Sequence, residues 1–321
     1  MLEVLSVERL RELLADWQPL RALNLAGGDY RGVDLSNARL EEVDARGAQF
    51  NGAILTQSYW KDCRLDGANF SDSTADSSHM NACSLQGALF TNVRWNKAYW
   101  AQCSGEDLDL SGAQLEAFTL SECRVPRISL AAAQLSKSQW SRCDLTGLDA
   151  QSAHFAKARL IDCQLDQARF GLASLQQCAF DESSLSGADF HAVQAEGASF
   201  YRCKGAAPMF VGANLKGALF NASHFDSVDF SEAVLEMAIL IDAQMPGARF
   251  DRALLRYADC TALLAPRASF VAADVTGMNA HAADFTQADW QQSNPQAIQP
   301  VDTERLRSEE HTSELQSPIR S

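Results

Sequence analysis

Every fifth residue from Leu25 to Trp290 is apolar or small, with no slip of register across 54 consecutive five-residue units. This position is the centre of its unit. The residue two before each centre is almost always Ala, Cys, Ser, Val or Gly, as in Phe190 with Ala188, Phe200 with Ala198 and Leu215 with Ala213. A helix repeats at about 3.6 residues and a flat strand at about 2, so a period of five suits neither. It marks a repeat chain in which each short unit forms one side of a solenoid. A large centre points into the coil, and the small residue beside it leaves room.

A second period sits on the first. Cys63, Cys83, Cys103, Cys123, Cys143, Cys163 and Cys203 fall on one twenty-residue comb, with Ser183 and Ser223 in the same slots. Gly27, Gly47, Gly67, Gly87, Gly147, Gly187 and Gly247 follow a parallel comb, each two residues after a centre, where a tight corner needs positive φ. Four units of five thus predict a four-sided coil, with every twentieth residue stacked in a column.

Ala213-Asn214-Leu215, Ala188-Asp189-Phe190 and Ala283-Asp284-Phe285 resemble the A-(D/N)-(L/F) signature of pentapeptide repeat proteins, and the resemblance covers about five sixths of the chain. It implies an all-β solenoid, a right-handed quadrilateral parallel β-helix of about 13 coils. At ~4.8 Å per layer the rod is about 65 Å long. The β-helix is expected over residues 21–292. Residues 1–20 are expected to cap it with a short amphipathic helix running from an N-cap at Ser6 towards Leu20. The apolar face of that helix is Val7, Leu10, Leu13, Leu14 and Trp17, and Pro19 stops it. Such a lid covers the open β edge of the first coil.

After Trp290 the pattern gives way to a polar linker at 293–306, then a tail at 307–321 expected to be disordered. Arg307 to Ser317, RSEEHTSELQS, resembles a translated sequencing adapter, which sets the tail outside fold reasoning and puts the native C-terminus near Leu306. Members of the resembled family often dimerise through this end, so a homodimer is the corresponding expectation.

The chemistry available is sparse. Nine cysteines could mean an oxidised, secreted protein, but stacked side chains sit about 4.8 Å apart and parallel, whereas a disulfide needs Cβ atoms about 3.8 Å apart and converging. Zinc needs tetrahedral thiolates, and a column offers a line. The cysteines are therefore read as small core residues, with no cofactor and no metal expected. No nucleophile elbow, Walker lysine loop, H-E-x-x-H or C-x-x-C occurs. His79, His154, His191, His224, His281 and His311 are neither centres nor two before one, so all six are expected in solvent. No stretch approaches the roughly 18 apolar residues of a membrane span, and Met-Leu-Glu-Val lacks a basic signal region. The expectation is a cytoplasmic protein that is not an enzyme.

Three surface features remain. The net charge is −14, and some members of the resembled family are acidic rods that occupy the DNA saddle of type II topoisomerases. That role needs a continuous negative surface. Asp109, Asp149, Asp189 and Asp229 recur before centres on one face, but Arg169 and Arg249 lie in the same column. Tyr59, His79 and Tyr99 precede centres at twenty-residue spacing over Trp60, Met80 and Trp100, so they form an outward ladder suited to a protein interface. Around residues 105–130 the small partner gives way to Leu108, Phe118 and Ile128, and Gly105 is a centre beside Trp95 and Trp100, whose indoles are expected to fill its volume. Gly205 and Pro208 mark a second irregular coil.

The reading that follows is a non-enzymatic rod that binds a protein partner. Its alternatives are a DNA-mimicking modulator of topoisomerase and, on resemblance alone, an accessory module of a type VI secretion system. No direct nucleic-acid or membrane binding is expected. Deleting residues 307–321 should leave the melting temperature unchanged in a thermal scan, and a clear fall would show that the tail contributes to the fold.

Overall fold

The computed structural model describes residues 3–15 and 18–299. Backbone hydrogen bonds tie each unit to the unit twenty residues on. Centre N–H groups donate to the carbonyl nineteen residues ahead, as in Phe50 to Asn69, Phe190 to Met209 and Leu240 to Asp259, each at 2.7 Å. The pairing is parallel throughout, from Asn24 with Asp44 to Ser269 with Asp289. Fifty-four units, four to a coil, make about 13 coils of parallel β-solenoid.

At most corners the centre carbonyl accepts the N–H three residues on, as from Ala48 to Ala45 (3.1 Å) and Ala53 to Phe50 (2.9 Å). The third residue of the turn has positive φ, +65° at Gly47 and +61° at Asn37, which defines a type II turn. One side departs from this rule. There the chain stays extended through the centre and forms three-residue strands, apart from β1 at the end: β1 (Leu20–Arg21), β2 (Arg39–Glu41), β3 (Tyr59–Lys61), β4 (His79–Asn81), β5 (Tyr99–Ala101), β6 (Thr119–Ser121), β7 (Gln139–Ser141) and β8 (Arg159–Ile161). They form one parallel sheet in chain order. A second sheet pairs β9 (Lys204–Ala206) with β10 (His224–Asp226), where Pro208 has no N–H with which to close the turn.

Inside the coil the centres stack directly. Phe170 on Phe190, Phe190 on Phe210 and Phe250 on Phe270 all lie 4.8 Å apart between centroids and within 8° of parallel. Each such burial contributes about 1.5–3 kcal/mol. The cysteine comb lines the corner that follows the long strands. All nine thiols are free and buried. Within the comb they do more than fill space. Cys83 Sγ donates to the Trp60 carbonyl (3.6 Å) and Cys123 Sγ to that of Trp100 (3.5 Å), and Ser183 Oγ reaches Leu160 in the same way (3.0 Å). A donor in this slot can reach a carbonyl of the coil before it, so Ser substitutes for Cys, while Val43 and Ala243 fill the same slot without one. Burial pushes the Cys178 thiol up to about 12.

The irregular coil has a different cause from the one the sequence suggests. A Cβ on Gly105 would lie 2.7 Å from Gln86 N and from the Leu85 carbonyl carbon. Gly105 is therefore glycine because the backbone of the coil below comes against it; the indoles of Trp95 and Trp100 instead pack on Phe90 and on each other (5.1–5.8 Å). Gly205 repeats the arrangement against Ser186 and Leu185. Leu108, Phe118 and Ile128 are buried, with Phe118 edge-on to Trp100 at 5.2 Å.

At the N-terminus α1 spans Val7–Leu14, shorter than the helix to Leu20 expected from the pattern. Ser6 is its N-cap, accepting the Arg9 N–H at 3.2 Å. A tightened last turn closes it, with Ala15 N–H on the Glu12 carbonyl (3.2 Å). Pro19 favours extended backbone just before it, and β1 begins at Leu20. Leu10 is fully buried, with Val7, Leu13 and Leu14 packed beside the core; Trp17 lies outside the described residues. Tyr30 occupies a centre where phenylalanine would pack as well, and its hydroxyl donates to the Leu5 carbonyl (2.6 Å), tying the lid to the first coil. Gly28 has no Cβ because the Tyr30 ring lies over it.

Two further expectations change. Residues 293–299 are docked against the last coil. Asn294 Oδ1 accepts the Val275 N–H (2.9 Å), and Ala297 and Met278 carbonyls accept from Gly277 (2.8 Å) and Gln299 (2.9 Å). This part of the expected linker thus packs on the last coil with its register shifted by one at Gly277, while residues 300–321, with the adapter-like tail, lie outside the described residues. His281 is buried, although His79, His154 and His224 are exposed. It directly follows a centre, and in that slot Ser71, Ser231 and Thr261 are buried too, because the turn folds its first side chain back against neighbouring coils.

Gly105→Ala should lower stability by about 1–3 kcal/mol, since backbone cannot yield as a flexible side chain can. Gly67→Ala, with nothing within 4 Å of its added Cβ, should cost about 1 kcal/mol for its positive φ alone. Equal losses in chemical denaturation would rule out the backbone contact as the reason for Gly105.

Candidate functional site

The eight-stranded side is the larger of the two sheets of the rod. Successive side chains of a strand point to opposite faces, so the residue before each buried centre stands outward. Tyr59 pairs with His79 and His79 with Tyr99 in strict register, which makes the ladder expected from their spacing. The His79 and Tyr99 rings lie 5.8 Å apart, and the Arg39 guanidinium sits 5.4 Å from the Tyr59 ring centroid, adding a fourth rung. Tyr59 and Tyr99 are half-buried and His79 is exposed. Beneath them Trp60, Met80 and Trp100 are buried, and Trp60 Nε1 donates to Ser58 Oγ at 3.0 Å. The aromatic side chains therefore stand on an immobile floor, so ordering them on binding costs little entropy.

Past Tyr99 the surface steps down. Small side chains follow in the next strands, and a shallow hollow of about 190 Å³ opens between Tyr99 and Arg159, with Thr119, Ser121, Gln139 and Ser141 along it. The aromatic spacing that marks the ladder in the sequence ends at Tyr99, with Thr119 and Gln139 next in the row. The hollow follows from the same count by twenty, but its signal is small polar side chains, which are common everywhere on this chain.

The acidic candidates share one column, as expected, but much of their capacity is already used. Asp109, Asp149, Asp189 and Asp229 each accept the backbone N–H two residues on, at 2.9, 3.3, 2.9 and 2.9 Å. This bond explains the Asp or Asn of the repeat signature: a short side-chain acceptor satisfies a donor at the corner. Basic side chains also face the carboxylates of the column. Arg169 pairs with Asp149, Arg249 with Asp229 at 3.4 Å, and His191 Nδ1 lies 2.8 Å from Asp189. Met209, exposed, interrupts it between Asp189 and Asp229. The column is thus a row of structural caps with alternating charge.

Several other caps hold their carboxyls below the usual value of 3.8. Arg46 beside Asp44, Arg31 beside Asp29 and the Thr276 hydroxyl on Asp274 are the main causes. A depressed folded pKa gives stability that is present above the unfolded value and lost as pH falls through the folded one. Melting temperature should therefore drop as the pH is taken below about 4, and a flat profile down to pH 2 would contradict capping by ionised carboxylates. Asp109→Asn should retain most of the cap, whereas Asp109→Ala should cost about 1 kcal/mol in chemical denaturation.

Family models agree with the repeat geometry. A family model for a pentapeptide repeat region matches residues 133–207, and one for eight copies of pentapeptide repeats matches residues 20–57, 83–121 and 210–245. No curated protein matches the chain. Among solved structures, HetL, a pentapeptide repeat protein involved in heterocyst differentiation regulation from the cyanobacterium Nostoc sp. strain PCC 7120, is 20% identical. The match covers 90% of this chain and 94% of HetL, with a TM-score of 0.26. QnrB1, a plasmid-mediated fluoroquinolone resistance protein, is also 20% identical over 63% of this chain and 91% of its own, with a TM-score of 0.34. An alginate lyase bound to a trisaccharide is 10% identical over 94% of this chain and 87% of its own, with a TM-score of 0.37.

Proposed function

The chain belongs to the pentapeptide repeat family, and from that premise we propose that it is a non-enzymatic scaffold that binds a protein partner through the face carrying Tyr59, His79 and Tyr99. The aromatic ladder carries this reading. It places large, half-buried rings on a rigid sheet, and aromatic anchors of that kind supply most of the energy in protein interfaces. Among the described residues the coil interior is filled by its own centres and leaves no pocket within it, which favours binding over catalysis. No helix among the described residues is long and apolar enough to cross a membrane, and a cytoplasmic setting suits nine reduced thiols.

Topoisomerase modulation by DNA mimicry is the second reading, and the net charge of −14 favours it. Against it stand the arginines within the Asp109–Asp229 column and the capping role of its carboxylates. No separate observation favours a secretion accessory.

Capture of partners on the tagged chain from a bacterial lysate, identified by mass spectrometry, tests the proposal. A specific partner should bind the native chain and be lost from the Tyr59→Ala/Tyr99→Ala variant, with an unchanged melting temperature. Retention by that variant would remove the ladder from the site. If a topoisomerase subunit is captured and Asp109→Asn/Asp229→Asn releases it, the DNA-mimic reading replaces this one.

A further inference from the structure

The face that carries the ladder has an electrostatic character opposite to that of the molecule. The chain holds 41 acidic and 27 basic residues. On the eight-stranded side, three outward rows run along the rod: the residues before the centres, those after them, and those three before them. Between Lys61 and Ile161 none of these rows contains an Asp or Glu. They carry Lys61, Lys97, Lys137, Lys157 and Arg159.

Pairing leaves part of this charge available. Lys137 is held by Glu116 at 2.8 Å and Lys61 lies 3.7 Å from Asp62. Lys97, Lys157 and Arg159 are exposed and form no salt bridge among the described residues, where most other arginines of the chain do. Arg159 also borders the hollow beside Tyr99, which offers hydroxyl and amide groups but no competing carboxylate. Acids lie beside these rows, at Asp76 and Glu116 in the corner that leads into the strands and at Asp62, Glu122 and Asp162 in the corner that follows them. A basic lane bounded by acidic edges attracts an anionic segment along its length and repels it when displaced sideways.

We propose that this lane receives an extended acidic peptide segment of the protein partner, lying along the rod axis, with its carboxylates on Lys97, Lys157 and Arg159 and an apolar side chain against Tyr59 and Tyr99. The proposal rests on the protein-binding reading above and adds the chemistry of the partner. Strands lie ~4.8 Å apart, so β3 to β8 covers about 24 Å, the length of about seven extended residues. The hollow accepts backbone N–H and C=O groups of such a segment through Thr119, Ser121, Gln139 and Ser141, which supply both donors and acceptors. Charge would set the position of the segment on the lane, and the aromatic rungs would hold it.

The test is fluorescence anisotropy on the full chain with a fluorescein-labelled eight-residue peptide of alternating Glu and Ser. Binding should weaken at least about tenfold in Lys157→Glu/Arg159→Glu and fall steeply with added salt. Arg64→Glu/Arg124→Glu, on a neighbouring side of the rod, should change it by less than about twofold. The gentler Lys157→Gln/Arg159→Gln pair gives the same reading should charge reversal disturb folding. No binding to the native chain, equal loss from both reversals, or tighter binding of a thymidine oligonucleotide of equal length would each overturn the proposal. In the lysate capture, a partner lost from the tyrosine variant but kept by Lys157→Glu/Arg159→Glu refutes the lane alone. A partner kept by both removes the ladder face from the reading beneath it.

Discussion

The rest of this structure depends on one register, the parallel pairing of every residue with the residue twenty places on. Because centre N–H groups bond to the next coil, a single unit has nowhere to satisfy its backbone without its neighbours. The coil length is then fixed, and side chains twenty residues apart must stack in columns. The Phe170–Phe190–Phe210 stack, the thiols of the cysteine comb and the Tyr59–His79–Tyr99 ladder are three results of that constraint, one inside the rod, one at a corner and one outside.

The constraint also explains why composition alone misleads. Asp109 and Asp229 look like surface charge, yet each is committed to a backbone donor two residues on. Nine cysteines look like redox or metal chemistry, yet those of the comb use their thiols to donate to carbonyls. What remains free to serve a partner is the set of outward side chains with no structural task. On the eight-stranded side these are the aromatic rungs and the cations Lys97, Lys157 and Arg159.

Counting by fives and twenties was enough to read the core, the four-sided coil, the cysteine column and the ladder, because each depends only on period. Features that depend on how closely two backbones approach were not legible. Gly105 looked like a void to be filled, and only the 2.7 Å approach of Leu85 and Gln86 shows that it is a contact. His281 looked solvated because its slot is outward on average, yet the turn folds it inward. The length of α1 and the docking of residues 293–299 depend on local hydrogen bonds at Ala15 and Asn294, which no repeat pattern encodes. The long strands of one side were hidden too, since a strand and a turn residue share the same five-residue signature.

The two readings place a partner on different sides of the four-sided rod. Hydroxyl-radical footprinting of the captured complex measures directly which side is covered. The account predicts protection of Tyr59, His79 and Tyr99, with Met209 in the acidic column remaining as reactive as in the free chain. Protection of Met209 with the tyrosines unchanged would place the partner on the Asp109–Asp229 face and contradict it.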